Sequence, residues 1–461
     1  MSNENNSCIP RLRFPGFEGE WVEKPLGKVC DNILVGFPFK GQDITDDSTG
    51  HPILRAYSIG EGVVRHGKDY DKYYPYDTKA LEKYKVKVGD IVVSMDGSVG
   101  RNIALVSKEE NNYLLIQRVA RLRITDYPIH LIYQQIISQR FKDYATGEKV
   151  GAVIAHISQK QIESFPIYSP RTHPEQQKIA SCLSELDNLI AAQGQKVDAL
   201  KEKKKGLMQQ LFPQPGETTP RLRFPGFEGE WEEKKLGDVF KRLTSKNAEN
   251  NKNVLTISAQ YGLISQLDFF KKSVSAVDVT GYYLLQKGDF AYNKSSSQGK
   301  PVGAIKPLKL YDKGVVSTLY ICFRCLDPKA VGFWEQYFDA GIFDKEIMSI
   351  AQEGARNHGL LNVPTNDFFG LAILMPKPAE QQKIASCLSS LDDLIAAESA
   401  KVEALKDHKK GLMQQLFPQG SEISRFSDTH LQRDAQECDE PLADAQECDE
   451  PLGDAQERDT P

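Results

Sequence analysis

The sequence has no apolar run approaching the roughly 18 residues that a bilayer-spanning helix requires, and its opening MSNENNSCIP carries neither a basic patch nor a hydrophobic stretch. No membrane partner or export signal is expected, and the chain reads as cytoplasmic. Recognisable catalytic loops are missing too. SSSQGKPVG at Ser295–Gly303 holds a Gly-Lys pair but lacks the earlier glycine and the following Ser or Thr of a phosphate-cradling loop. No complete G-x-G-x-x-G, H-E-x-x-H or G-x-S-x-G occurs, and NVPT at Asn362 lacks the second proline and the aromatic of the segment that holds an exocyclic amine in amino-methyltransferases. The eight histidines form no cluster with metal spacing. Cys322 and Cys325 make the single CxxC, in LYICFRCL, where strand geometry sends residues three apart to opposite faces; no metal site is expected. The other cysteines are scattered or are repeat copies, which fits reduced thiols. A catalytic site in this chain is therefore not expected.

What is present is repetition. PRLRFPGFEGEW stands at Pro10–Trp21 and again at Pro220–Trp231, EQQKIASCLS at Glu175–Ser184 and Glu380–Ser389, and GLMQQLFPQ at Gly206–Gln214 and Gly411–Gln419. The chain is one unit written twice, as its 461 residues, too many for one ordinary core, would allow. Between these signposts the halves have diverged. A frame kept constant around two differing compartments implies one constant task and two different recognition tasks. The tail from Ser421 holds 13 acids and 3 bases, so the net charge of −5 conceals a body at about +5. That permits a polyanionic partner without requiring one.

Each lead-in is followed by about 150 residues of short Val, Ile, Tyr and Phe runs broken by Gly, Asn, Asp and Lys, which reads as mixed strand and helix. KYKVKVGDIVVS (Lys83–Ser94) and YYLLQKGDFAYN (Tyr282–Asn293) share a Tyr, a Gly-Asp and an apolar strand; further strands are expected near Leu114–Ile124 and Val315–Phe323. The two regions should share a fold.

A heptad stripe follows in each half. It runs through Ile179, Leu183, Leu186, Ile190, Gln193, Val197 and Leu200, and through Ile384, Leu388, Leu391, Ile395, Glu398, Val402 and Leu405; it continues to Leu211 and Leu416, with Lys204 in one polar slot. Two helices of roughly 37 residues, about 55 Å long, should pair antiparallel as an intramolecular coiled coil, bringing Gln193 against Glu398. The expected class is α+β: two similar mixed α/β domains at residues 10–172 and 215–376, long spacer helices at 173–214 and 377–419, an internal pseudo-two-fold duplication, and a disordered acidic repeat tail at 420–461 built on DAQECDEPLA.

Several loops combine Lys or Arg with Gln, Asn and Ser, the types that contact phosphates and base edges. In the first domain these are Lys40, Gln42, Ser98, Arg101, Asn102, Gln117, Arg118 and Lys149; in the second, Lys294, Ser296, Gln298, Lys300, Arg356, Asn357 and His358. The Gly-flanked loops after GDIVVS and GDFAYN are the strongest of them.

On the duplicated lead-in, the Gly-Asp strands, the two helix starts HPEQQKIA and KPAEQQKIA, and the GLMQQLF exits, residues 10 to about 419 resemble the specificity subunit of a type I restriction-modification system. The resemblance implies two target-recognition domains, each reading half of a bipartite, asymmetric target in double-stranded DNA, with the helices as a spacer ruler. It implies a non-catalytic subunit without cofactors. Two methylation subunits would dock on the frame and methylate adenine N6 from S-adenosylmethionine, and restriction subunits would use ATP and Mg2+. If both domains face one side of the duplex, the half-site centres should lie roughly 10 bp apart. The competing reading is a duplicated protein-interaction scaffold without nucleic acid, which leaves the basic, amide-rich loops unexplained. The tail repeats lie outside the resemblance.

Overall fold

The structure is a computed structural model that describes residues 9–147, 156–258, 262–270, 278–296, 301–353 and 361–418. The acidic repeats, and the disorder expected of them, lie outside these residues. The chain divides into two compact units: one runs to Asp187 and resumes at Asp407, the other is Asn188–Lys406. The division passes through both long helices rather than around them.

In the first unit four strands, β1 (Asn32–Val35), β2 (Ile91–Ser94), β3 (Ile103–Leu105) and β4 (Val119–Arg123), form a sheet ordered β1-β4-β2-β3 with antiparallel neighbours throughout. Both faces are covered: Ile91, Val93, Ala120 and Leu122 point into the main core, Val92 and Val119 into a smaller cluster. Double burial explains why β2 and β3 read as apolar runs instead of alternating. After the sheet come the short helices Ile129–Ile136, Gln139–Thr146 and Gln159–Ser164, whose Leu131, Ile132, Phe141 and Ile162 fill the main core. The first long helix, α1, spans His173–Leu211.

The second unit repeats this plan with β5 (Phe240–Leu243), β6 (Phe290–Asn293), β7 (Ala304–Pro307) and β8 (Ile321–Cys325), ordered β5-β8-β6-β7 and again antiparallel. Cys322 and Cys325 do point apart, into separate clusters. Burial pushes their thiols up to about 12 and about 11, so neither is a ready thiolate for a metal. The second long helix, α2, spans Pro378–Leu416. Each long helix has proline in its first turn, where a missing N–H costs nothing, and each ends just before a Phe-Pro pair.

The Gly-Asp signature is structural. Gly89 and Gly288 take φ of +89° and +91°, and the following Asp90 and Asp289, 2 % and 1 % exposed, each accept from a turn N–H at 2.7 Å, that of Lys87 and of Gln286. Each carboxylate also takes two parallel hydrogen bonds from an arginine at the far end of the central strand: Arg123 to Asp90 at 2.7 and 2.6 Å, Arg324 to Asp289 at 2.5 and 2.9 Å.

The three repeated motifs meet in each unit. Arg13 pairs with Glu175 at the start of α1, while Leu12 N–H donates to the Gln415 carbonyl near the end of α2, at 2.9 Å. Arg223 pairs with Glu380 at the start of α2, while Leu222 N–H donates to the Gln210 carbonyl near the end of α1, again at 2.9 Å. The glutamine after each glutamate caps a proline carbonyl, Gln176 to Pro170 and Gln381 to Pro376, both at 2.8 Å. Trp21 packs edge-on against Phe417, and Trp231 against Phe212.

The heptad stripe divides its work. Ile179 and Leu183 belong to the first unit's domain core with Leu416, and Ile384 and Leu388 to the second unit's with Leu211, so the outer turns pack on the domains as well as along the helix pair. Leu186 lies half-buried in the first unit. Within the second unit Val197 is buried, and Ile190, Leu200, Leu391, Ile395, Val402 and Leu405 are half-buried. There Gln193 donates to Glu398, Lys196 to Glu398 at 2.9 Å and Lys204 to Asp392 at 2.6 Å. Rising numbers on α1 against falling numbers on α2 make this stretch antiparallel. The Lys204 slot is an ion pair, and the first unit has the matching one, Lys409 to Asp187 at 2.5 Å.

Among the described residues, no helix is long and apolar enough to cross a membrane.

Candidate nucleic-acid interface

One end of the first sheet gathers three of the predicted loops. There β1 and β2 finish while β4 and β3 begin, so antiparallel order alone brings the segments after Val35, before Val119 and after Ser94 together. The strand expected over Leu114–Ile124 is broken. Leu114–Leu115 leaves the sheet to pair in parallel with Ile53–Leu54, and the chain turns at Ile116–Arg118 before β4 starts. Gln117 and Arg118, a loop by their residue types, form this turn, which depends on two local features. Gly36 lies so close to it that a Cβ there would fall 2.1 Å from the Ile116 carbonyl oxygen, and Arg118 adopts a left-handed φ of +69°.

The turn is pinned on both sides. Phe37 N–H donates to Leu115 and Gln117 N–H donates back to Phe37, each at 2.8 Å; Met95 N–H donates to the Arg118 carbonyl at 2.9 Å. Gln117 and Arg118 are left exposed, as are Lys40 and Gln42, which cap and form a 3-10 turn three residues past Phe37. In the β2–β3 loop Ser98 and Arg101 are exposed, while Asn102 is half-buried with its carbonyl accepting from Ser94 N–H at 2.9 Å.

Two residues at this edge were not anticipated. Asp96 accepts from Arg118 Nη1 at 2.7 Å, and its other oxygen lies 2.6 Å from His156 Nδ1. Burial works against the Asp96 charge, but the hydrogen bonds from His156 and Arg118 outweigh it and lower its pKa. A carboxylate repels phosphate, so Asp96 falls outside the basic and amide pattern of the loops. The glycine beside it in MDGSVG was the available signal.

The second sheet presents the same edge with other residues. Aligning the sheets on Asp90 and Asp289 sets Arg123 on Arg324; the same register sets Gln117 on Thr318, Arg118 on Leu319 and Asp96 on Ser295. The expected strand over Val315–Phe323 also breaks, Lys313–Val316 pairing with Tyr283–Gln286 while β8 begins at Ile321. Lys294, Thr318 and Leu319 line one recess with Arg242 and Tyr283, and Ser296 is exposed nearby in sequence. Leu361, which follows the segment holding Arg356, Asn357 and His358, donates to the Lys294 carbonyl at 3.0 Å. Those three residues, with Lys149, Gln298 and Lys300, lie outside the described residues.

Away from this edge, His66, Glu109 and Glu110 bring ligand-type atoms within 4.8 Å of one another. Both ring nitrogens of His66 are already engaged, Nδ1 with Asp71 at 3.3 Å and Nε2 with Glu110 at 3.0 Å, which makes the group an ion-pair network.

Residues 18–202 and 228–407 match the family described as the type I restriction modification DNA specificity domain. The chain is 26 % identical over 388 residues to the type I restriction enzyme MjaVIII specificity subunit of Methanocaldococcus jannaschii, a match covering 76 % of this chain and 86 % of that one. It is 24 % identical over 426 residues to the putative MjaX specificity subunit of the same organism, covering 86 % and 93 %. Its fold resembles the crystal structure of the S subunit of a type I restriction-modification system from M. genitalium, with a TM-score of 0.52 at 15 % identity, covering 89 % of this chain and 99 % of that one. Two family segments, each carrying one sheet with one variable edge, place the protein in the family of type I restriction modification DNA specificity subunits.

Proposed function

We propose that the two sheet edges each read one half of a bipartite, asymmetric DNA target, and that the helical frame holds the halves at a fixed spacing. The observation that carries this reading is the shared strand order, β1-β4-β2-β3 and β5-β8-β6-β7, with Gln117, Arg118 and Asp96 on one edge where Thr318, Leu319 and Ser295 stand on the other. An identical scaffold with different hydrogen-bonding chemistry reads unlike sequences. The Arg-Glu braces are duplicated almost atom for atom, so the frame offers one surface twice, suited to two copies of a methylation subunit. In this reading S-adenosylmethionine, ATP and Mg2+ are used by the methylation and restriction subunits, and this chain supplies sequence choice without catalysis.

Replacing the second domain, residues 232–375, with the corresponding domain of a relative tests the division of labour in the complex with its methylation subunit. One half of the methylated motif changes and the other is retained, with the spacer unchanged. A change in both halves, or in neither, contradicts it.

A further inference from the structure

Resting on that reading, we propose that Arg118 recognises a guanine in the half-site read by the first domain, and that Asp96 is its positioning residue. Among the described residues, Arg118 is the one arginine at the first edge whose backbone and side chain are both fixed by hydrogen bonds. Its carbonyl is tied to Met95, the preceding N–H to Phe37, and its φ of +69° lies where residues other than glycine are uncommon. Such strain persists only where surrounding contacts enforce it, and it concentrates at functional positions. The side chain is nevertheless 66 % exposed. It therefore leaves the sheet edge in a set direction and ends in solvent.

The guanidinium gives Asp96 a single hydrogen bond, through Nη1. Nε and Nη2 lie away from that contact and form the two-pronged donor that matches guanine O6 and N7 in the major groove. Adenine presents a donor in place of O6 and would oppose the fork. Asp96 itself faces arginine on one oxygen and histidine on the other, so its charge is matched and need not repel the backbone phosphates. With a second carboxylate oxygen anchored to His156, the fork cannot swing freely; less side-chain entropy is lost on binding.

The second domain lacks the device at the equivalent place. Its edge has Leu319, 59 % exposed, and Ser295. The guanine requirement created by this pair therefore belongs to one half-site.

The test uses the full chain with its methylation subunit, and initial methylation rates on duplexes in which each target position is varied through all four bases. Wild type should demand guanine at one position of the first-domain half-site. Arg118→Ala should lose that demand by about tenfold or more, with the second half-site still read; Arg118→Lys keeps the charge and donors without the planar fork and should lose part of it. Asp96→Asn should relax the same position by less. A uniform loss across all duplexes, with guanine still preferred and a shallower salt dependence, would make Arg118 a phosphate contact and overturn the proposal. So would a first half-site with no guanine. Failure of the underlying reading would look different, since wild type would then show no split target at all.

Discussion

Arg13 grips Glu175 through two parallel hydrogen bonds of 2.7 and 2.8 Å, and Arg223 grips Glu380 in the same way at 2.8 and 2.8 Å. Both glutamates are 1 % exposed, so each would be buried and uncompensated without its arginine. Arg13→Ala is expected to cost about 3 kcal/mol, the low end for breaking a buried pair, because the arginine side chain keeps 16 % of its surface in water. Arg13→Ala with Glu175→Gln should recover part of the loss. Urea denaturation of the four-membered mutant cycle checks this; equal losses in the single and double variants would show that the pairing is not the source.

The two Gly-Asp turns should differ in how much their aspartates matter. Asp90 faces Arg123 and also Arg121, whose Nε lies 3.9 Å away and whose side chain is buried; burial lowers the Arg121 pKa despite Asp90. In the second domain Cys322 stands in place of Arg121, and the partner Arg324 is nearly half-exposed and can be hydrated when unpaired. Asp90→Ala should therefore destabilise by about 3–5 kcal/mol and Asp289→Ala by about 2 kcal/mol. Melting temperatures of the two variants rank them, and the reverse order would contradict the argument.

What was legible in the sequence follows from which signals are local. Duplication, the helix stripe and its polar slots announce themselves by letters or period, and Gln193 and Glu398 meet where equal numbering from the helix starts puts them. The break at Ile116–Arg118 showed only in the polar pair Gln117 and Arg118, and the break at Ser317–Tyr320 did not show, because a run of strand-forming residues reads as one strand whichever sheet its two ends join. The partnership of Asp96 with Arg118 and His156 joins segments 22 and 60 residues apart, and only the strand order brings them together. The Gly-Asp pair was visible as a pattern, but its meaning lies in an arginine more than thirty residues away.

Glu398 makes the helix pair sensitive to acid. Hydrogen bonds from Lys196, Lys401 and Gln193 hold its carboxyl at about 2, well below the ordinary value of about 4.3. Its contribution is complete above that ordinary value and is lost as the pH falls from there towards 2. Wild type should lose more melting temperature between pH 7 and pH 3 than Glu398→Gln, and parallel profiles would contradict this. Replacing Gln193 and Glu398 together with leucine should raise the melting temperature at pH 7, since Lys196 and Lys401 are more than half exposed and are hydrated once unpaired.

His66 works in the opposite sense. Burial alone would lower its pKa, but hydrogen bonds to Glu110 and Asp71 and the nearby Glu109 charge carry it above the usual value. Stability from the protonated ring is fully present below about pH 6.5 and is lost as the pH rises through the raised value. The melting temperature of wild type should fall between pH 6 and pH 8.5 relative to His66→Gln. An identical pH dependence in the variant would exclude the network as its origin.

The most direct test of the central claim is to co-express the chain with its methylation subunit and map N6-methyladenine across the host genome. The account predicts one split, asymmetric motif, methylated on both strands, with a spacer of fixed length. A soluble complex that adds no methylation, or that methylates an unbroken motif, would contradict it.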